Sequence, residues 1–221
     1  SFRSRKSFLV LSPAFRRPTP FMYTWRRLTD EQRMEALDYR RLQRFPKHSP
    51  PHFEVEGSSR FLITAACYEH RHVIGTTTSR MSEFTSQLLS SIEPYTEALY
   101  AWCVLPNHYH ILPRTSDIAG LRSALGKLHG RTSYTWNGED GHRGRQVWHN
   151  CFERQMRSER HFFASLNYVL NNAVHHGYAE RWQDWPWSNA TEYLELVGKE
   201  RAADIWRSYP VLDYGSKWDM Y

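Results

Sequence analysis

Two histidines, His108 and His110, stand one residue apart in the apolar run LPNHYHIL, residues 105–112. The turn-forming pair Pro106-Asn107 stands just ahead of them, so the run is expected to open a strand. Side chains at i and i+2 of a strand share a face, which sets the two imidazoles side by side. Such a pair can chelate a divalent metal. It can equally be two hydrogen-bonded sheet histidines in a chain that has 12 of them.

A second group lies about sixty residues on, in HFFASLNYVLNNAVHH, residues 161–176. At about 100° per residue, Phe162, Phe163, Leu166, Val169, Leu170, Ala173 and Val174 fall about 100° or more from Tyr168 and form an apolar stripe. His161, Ser165, Asn171, Asn172 and His175 fall within about 60° of Tyr168, with only Ala164 among them. Tyr168 is therefore expected to face away from the apolar side of its helix. A tyrosine so placed is commonly a rim residue with its hydroxyl in water. Asn172 lies one turn on, however, and a phenol is a nucleophile once deprotonated, while an amide oxygen ligates hard cations. His175 and His176 read as a polar helix end meeting the last carbonyls, with His175 also a candidate proton acceptor on the tyrosine's face.

The elements that must position these residues follow from periodicity. RFLITAACY, at about 60–68, is β-branched and aromatic enough for a strand. Met81, Phe84, Leu88 and Ile92 recur at helical spacing up to Pro94. ALYAWCVLP and HYHIL read as two strands of a hairpin turning at Pro106-Asn107. Asp117 or Ser116 can cap a helix with apolar positions Ile118, Leu121, Leu125 and Leu128. The Gly-rich WNGEDGHRGR is expected to be a turn, QVWHNCFERQM a fourth strand, and about 159–175 a third helix. The order β-α-β-β-α-β plus a C-terminal helix bearing the tyrosine predicts an α+β fold with a ferredoxin-like antiparallel sheet, His108 and His110 on an interior strand.

With 221 residues, 40% of them hydrophobic, the chain can bury one sizeable core, and no apolar stretch approaches a membrane span. The short apolar piece near the start is followed at once by charges and prolines, which argues against a signal peptide. Cys67, Cys103 and Cys151 form no CxxC, fall in strand-like segments, and are expected to be buried thiols in a reducing cytoplasm. The net charge of +6 is uneven, with 12 Lys/Arg against 4 Asp/Glu in residues 1–50. Arg114, Arg122, Lys127, Arg131, Arg143, Arg145, Arg154, Arg157 and Arg160 form a second basic concentration, and phosphate is the natural partner of both.

On these residues the sequence resembles the REP-associated tyrosine transposases, within the single-tyrosine HUH transposase superfamily. Pro106-Asn107-His108-Tyr109-His110 matches that family's P-N-H-x-H strand motif, and YVLNNAVHHG, Tyr168 to Gly177, its Tyr-x-x-x-Asn helix. GRQVWHNCFERQMRSERHF and DWPWSN resemble the segments on either side of that helix, so the likeness covers roughly residues 58–195. Ala173 stands where many relatives have proline, which predicts a helix that continues further.

The likeness marks out a catalytic domain at 58–195, flanked by a basic N-terminal extension and linker at 1–57 and an aromatic C-terminal tail at 196–221 that have no counterpart in the family pattern. It further implies a single-strand DNA endonuclease and strand transferase acting on hairpin-forming palindromic repeats as a monomer or homodimer. His108, His110 and Asn172 would hold Mg²⁺ or Mn²⁺, and Tyr168 would attack to leave a 5′-phosphotyrosine. The arginines would grip phosphates, and Trp148, Trp182, Trp185 or Trp187 could stack unpaired bases. A rolling-circle replication initiator and a non-catalytic nucleic-acid-binding module on the same sheet are the alternatives.

Overall fold

In the computed structural model the described residues are 57–211, together with Thr29 and Glu31. The basic extension and linker, and the end of the aromatic tail from 212 onward, lie otherwise outside the described residues. Residues 57–211 belong to one unit, Phe45–Asp219.

The elements follow in chain order as β1 (Ser59–Ala66), α1 (Thr78–Ile92), β2 (Ala98–Val104), β3 (His108–Thr115), α2 (Ile118–Glu139), β4 (Phe152–Gln155), α3 (Glu159–Leu170), α4 (Asn172–His175), α5 (Ala190–Val197) and α6 (Lys199–Ser208). The four strands form one antiparallel sheet in the order β2-β3-β1-β4. This is the expected βαββαβ arrangement, and β3 is an interior strand. Leu105 N–H donates to the His108 carbonyl at 2.8 Å, so Pro106 and Asn107 make a two-residue hairpin connection.

Strand alternation divides the interior into two cores. Phe61, Ile63, Ala65, Tyr109 and Ile111 face one way, against Met81, Phe84, Leu88 and Ile92 of α1 and Leu121, Leu125, Leu128 and Trp136 of α2. Leu62, Ala101, Cys103 and Leu112 face the other way, against Phe162, Leu166, Tyr168, Val169 and Leu170 of α3 and Ala190 and Tyr193 at α5. Each fully buried Leu or Phe contributes about 1.5–3 kcal/mol, so both helical layers are held by more than one such side chain. His108 and His110 share parity with Leu112 and therefore face α3.

Local signals set the helix starts. Asp117 Oδ1 accepts from Gly120 N–H at 2.7 Å, Thr77 Oγ1 from Arg80 N–H at 3.1 Å, and Ser158 Oγ from His161 N–H at 3.1 Å.

Several expectations change. α2 continues through Trp136, Asn137 and Gly138 to Glu139, past the start of the expected Gly-rich turn. Packing overrides glycine there: Trp136 lies 5.6 Å from the Phe84 ring and 5.8 Å from the Trp148 ring, and Asn137 binds the Arg145 backbone carbonyl through Nδ2 at 2.7 Å. The fourth strand is reduced to four residues, since Trp148 makes only an isolated bridge to Cys67. Of the cysteines, only Cys103 lies inside a strand, and Cys151 is exposed as a residue although burial pushes its thiol up to about 12. The third helix does not continue unbroken to 175. Its regular geometry lapses at Asn171, φ −90° and ψ 2°, before the short α4. Part of the aromatic tail packs on the body, with Ala202 of α6 in the second core and Tyr209 stacked on Phe163 at 4.9 Å.

A buried histidine and a half-buried aspartate make the fold acid-sensitive. His129 stacks on Trp148 at 4.2 Å and lies 3.0 Å from the Tyr109 hydroxyl, and burial holds its imidazole down at about 4. Its unfolded counterpart, near 6.5, binds the proton first, so stability falls as pH drops from about 6.5 to about 4, by about 3 kcal/mol. Asp140, gripped by Arg80 at 2.6 Å and Arg145 at 2.7 Å, is held down at about 2. Its contribution is present above about pH 4 and is lost as pH falls towards 2. Urea unfolding between pH 7 and 3 is expected to show both slopes; His129→Leu removes the first and Asp140→Asn the second, whatever the offset of each variant.

Candidate active site

One turn of helix and two residues of strand have nearly equal lengths. Residues i and i+4 of a helix are about 6 Å apart along the axis, and residues i and i+2 of a strand about 6.6 Å. α3–α4 lying across β3 therefore sets two residues against two. Tyr168 meets His110, with its hydroxyl 3.4 Å from Nε2 and ring centroids 5.0 Å apart. Asn172 meets His108, its Oδ1 3.1 Å from Nε2. The lapse at Asn171 leaves this alignment in place. The four residues predicted to act together are brought together.

All four are buried, with exposures of 3% for His108, 0% for His110, 2% for Tyr168 and 0% for Asn172. This corrects the expectation that Tyr168 turns away from the apolar side of its helix. α3 is buried almost all round, since its other side is covered by the tail: Asn167 Nδ2 donates to the Ile205 and Tyr209 carbonyls at 3.3 and 2.8 Å. A single helix projected alone cannot reveal a second covering layer.

Each imidazole is held from behind at Nδ1. His110 Nδ1 lies 2.7 Å from Thr64 Oγ1, its direct cross-strand partner on β1, and His108 Nδ1 lies 2.8 Å from Asn107 Oδ1. Both Nε2 atoms are thereby directed towards the helix, the arrangement found behind histidine metal ligands. The two rings are edge-on at 5.0 Å.

The donor set fits a divalent cation. Two ligand atoms each about 2.1 Å from an ion and near a right angle lie about 3 Å apart, the separation of His108 Nε2 and Asn172 Oδ1. Asn172 turns its oxygen to His108 and leaves Nδ2 buried with no hydrogen-bond partner, at a cost in desolvation. Two imidazoles and a carboxamide without thiolate suit a divalent ion in a site that keeps open positions. Among the described residues, no group of three or more His, Cys, Asp or Glu is arranged to hold a metal, so the carboxamide is integral to this set.

The remaining expected residues scatter. His175 is exposed and packs edge-on to His176; the ring brought within 4.9 Å of His108 is that of His176. His176 was legible as the residue one turn beyond Asn172, whereas Thr64 was not, because nothing local specifies the β1–β3 register. Arg154 on β4 and Arg157 lie near the start of α3, where burial and then the charge of these two arginines hold His161 below the ordinary imidazole range. Arg122, Lys127 and Arg131 ride on α2, across the sheet from the histidine pair, with Arg122 paired to Glu153 at 3.2 Å. Arg114 pairs with Glu97 at 3.3 Å, Arg145 with Asp140, and Arg143 donates to the Tyr134 carbonyl at 2.7 Å. Trp148 is core, Trp185 donates its indole N–H to the Val104 carbonyl at 2.8 Å, and Trp187 donates to Ser82 Oγ at the surface at 3.1 Å.

Comparison with known proteins agrees with this architecture, although no protein-family model matches the chain. A Haemophilus influenzae protein described as a REP-associated tyrosine transposase is 30% identical over 122 residues, covering 51% of this chain and 69% of the relative. The solved structure of a REP-associated tyrosine transposase bound to a REP hairpin superposes with a TM-score of 0.52 at 17% identity, over 66% of this chain and 84% of that one. That likeness defines a fold shared with a tyrosine transposase. A Deinococcus radiodurans structure described as a transposase, 15% identical over 57% of this chain and 97% of its own, has a TM-score of 0.36 and carries no weight. The chain belongs to the REP-associated tyrosine transposase family. Among the described residues, no helix is long and apolar enough to cross a membrane.

The orphaned amide at the centre of the site has a measurable consequence. Asn172→Leu removes the orphaned Nδ2 but leaves His108 Nε2 buried without its oxygen partner, two effects of opposite sign and each about 1–3 kcal/mol. EDTA-treated Asn172→Leu is therefore expected to unfold in urea within about 1 kcal/mol of wild type; a loss of more than about 2 kcal/mol would show that the carboxamide is a structural bridge.

Proposed function

We propose that this protein is a metal-dependent single-strand DNA endonuclease and strand transferase that acts on hairpin-forming palindromic repeats through a 5′-phosphotyrosine intermediate. The observation that carries this reading is the pairing of Tyr168 with His110 and of Asn172 with His108 in one buried layer. A nucleophile and a cation-binding set are thereby adjacent, which neither a binding module nor a purely structural core requires. The family membership supports the transposase assignment, and the hairpin bound by the structural relative supports the choice of DNA.

The chemistry is an in-line exchange at phosphorus. Tyr168 Oη forms the new P–O bond as the P–O3′ bond breaks; the phenol proton passes to water and the departing O3′ takes one up. A free phenol has a pKa near 10, so deprotonation must accompany attack. His110 Nε2 lies 3.4 Å from the Tyr168 hydroxyl, which sets the phenol beside the atom that would bind the cation. When bound by His108, His110 and Asn172, Mg²⁺ or Mn²⁺ would supply Lewis-acid polarisation of the scissile phosphate and neutralise developing charge. The phosphodiester energy retained in the tyrosyl ester lets a second 3′-hydroxyl reverse the step, so one residue cuts and rejoins. His175, exposed and turned to His176, makes no contact among the described residues that would make it the proton acceptor.

Arg154 on β4 and Arg157 just before the tyrosine helix, both near enough to His161 to lower its imidazole, would contact phosphate on the Tyr168 side of the sheet. Lys127 and Arg131 are exposed across the sheet and would engage a different stretch of the same polyanion.

The decisive experiment incubates hairpin-bearing single-stranded DNA with the protein and Mg²⁺ or Mn²⁺ and resolves the products on a denaturing gel. Wild type is expected to give a covalent protein–DNA adduct and Tyr168→Phe none; adduct from both would remove Tyr168 as nucleophile, and binding without cleavage by wild type would leave a nucleic-acid-binding module. In salt titrations of binding, Arg157→Ala is expected to lower the slope of log K against log salt by about 1, because one phosphate fewer is neutralised.

A further inference from the structure

We infer that Asn107 is a positioning residue that selects the tautomer of His108. The inference rests on the metal-site reading above and concerns a residue that touches neither the tyrosine nor the asparagine of that site.

The selection follows from what each atom can do. Asn107 Nδ2 donates to the backbone carbonyl of His70 at 3.2 Å. A carbonyl only accepts, so the amide must present its nitrogen to His70 and its oxygen to the other side. Oδ1 lies there, 2.8 Å from His108 Nδ1. An amide oxygen also only accepts, so Nδ1 of His108 carries the hydrogen and, in the neutral ring, Nε2 presents a lone pair. Across the ring Asn172 faces Nε2 through its amide at 3.1 Å; no second bond pins that amide, since Nδ2 has no partner, so turned over it donates to the Nε2 lone pair and does not oppose the choice made at Nδ1. A hydrogen-bond chain from a main-chain carbonyl thus keeps the proton off the atom needed for ligation. His110 is held differently, because the Thr64 hydroxyl 2.7 Å from its Nδ1 can donate as well as accept and selects no tautomer by itself.

The anchor of this chain is costly to build. Glu69 and His70 have φ of 56° and 49°, the left-handed region that disfavours side chains, at successive non-glycine positions. Backbone strain of this kind persists only where the surroundings over-determine it and often marks function. Here the bend is clamped by His70 N–H to the Cys67 carbonyl at 3.0 Å and by Cys67 N–H to the Asn107 carbonyl at 2.7 Å. The second bond ties the strained turn to the same residue whose side chain reads it. The turn therefore aims the His70 carbonyl at Asn107, and Asn107 passes that orientation to His108.

The test compares wild type, Asn107→Ala and Asn107→Asp by ¹⁵N NMR of the imidazoles and by Mn²⁺ titration followed by calorimetry. Wild type is expected to show His108 as the Nδ1–H tautomer. Asn107→Asp keeps an acceptor beside Nδ1, retaining that tautomer and Mn²⁺ affinity within a few-fold. Asn107→Ala is expected to populate the Nε2–H form and weaken Mn²⁺ binding about 10–100-fold, the usual effect of losing a partner behind a histidine ligand. An Nε2–H tautomer in wild type, or an unchanged tautomer in Asn107→Ala, overturns the inference; a merely structural role would lower the melting temperature without moving the tautomer. If wild type binds no Mn²⁺, the metal-site reading fails, while the NMR result still decides what Asn107 does.

Discussion

Everything in the site depends on the near-equality of two repeat lengths, four residues of helix and two of strand. His110 and His108 can face Tyr168 and Asn172 simultaneously only because the helix crosses the strand with those spacings aligned, giving contacts of 3.4 and 3.1 Å. A shift of one residue on β3 would turn both imidazoles into the opposite core, against α1 and α2. The antiparallel ladder β2-β3-β1 prevents that shift by fixing β3 from both sides.

Burying four polar side chains between sheet and helix carries a cost that the surrounding apolar layer offsets. Leu62, Leu112, Leu166 and Val169 pack around the site, and the tail closes over the far side of α3. The low-dielectric surroundings that make an unpaired amide costly also strengthen any charge interaction with a phosphate or a cation. Asn172, with Nδ2 unsatisfied, is one place where the fold gives up stability locally, and such departures from good packing concentrate at functional positions.

The other core shows what the same residue types do without that role. Tyr109, His129 and Trp148 form a buried aromatic stack with a phenol–imidazole contact of 3.0 Å, superficially like Tyr168 and His110. Yet burial drives the Tyr109 hydroxyl well up and the His129 imidazole down, so both stay neutral and serve packing. Parity decides between the two fates: Tyr109 lies between His108 and His110 on the same strand and faces the other way.

Parity and helical spacing are local properties, and both were legible in the sequence. Alternation along LPNHYHIL put His108 and His110 on one face, and the four-residue interval put Asn172 beside Tyr168. The βαββαβ order followed from the same periodicities. The register pairing Thr64 with His110, the tail that buries the far side of α3, and the left-handed turn whose carbonyl meets Asn107 were not legible. Each joins residues distant in sequence, 37 apart for His70 and Asn107 and 46 for Thr64 and His110. Such pairings are chosen by the free energy of the whole packed chain rather than by any local propensity. The sequence alone therefore determined which side chains could do the chemistry and which faces they would occupy; only the tertiary structure decided that the faces meet, and in what orientation the imidazoles are held.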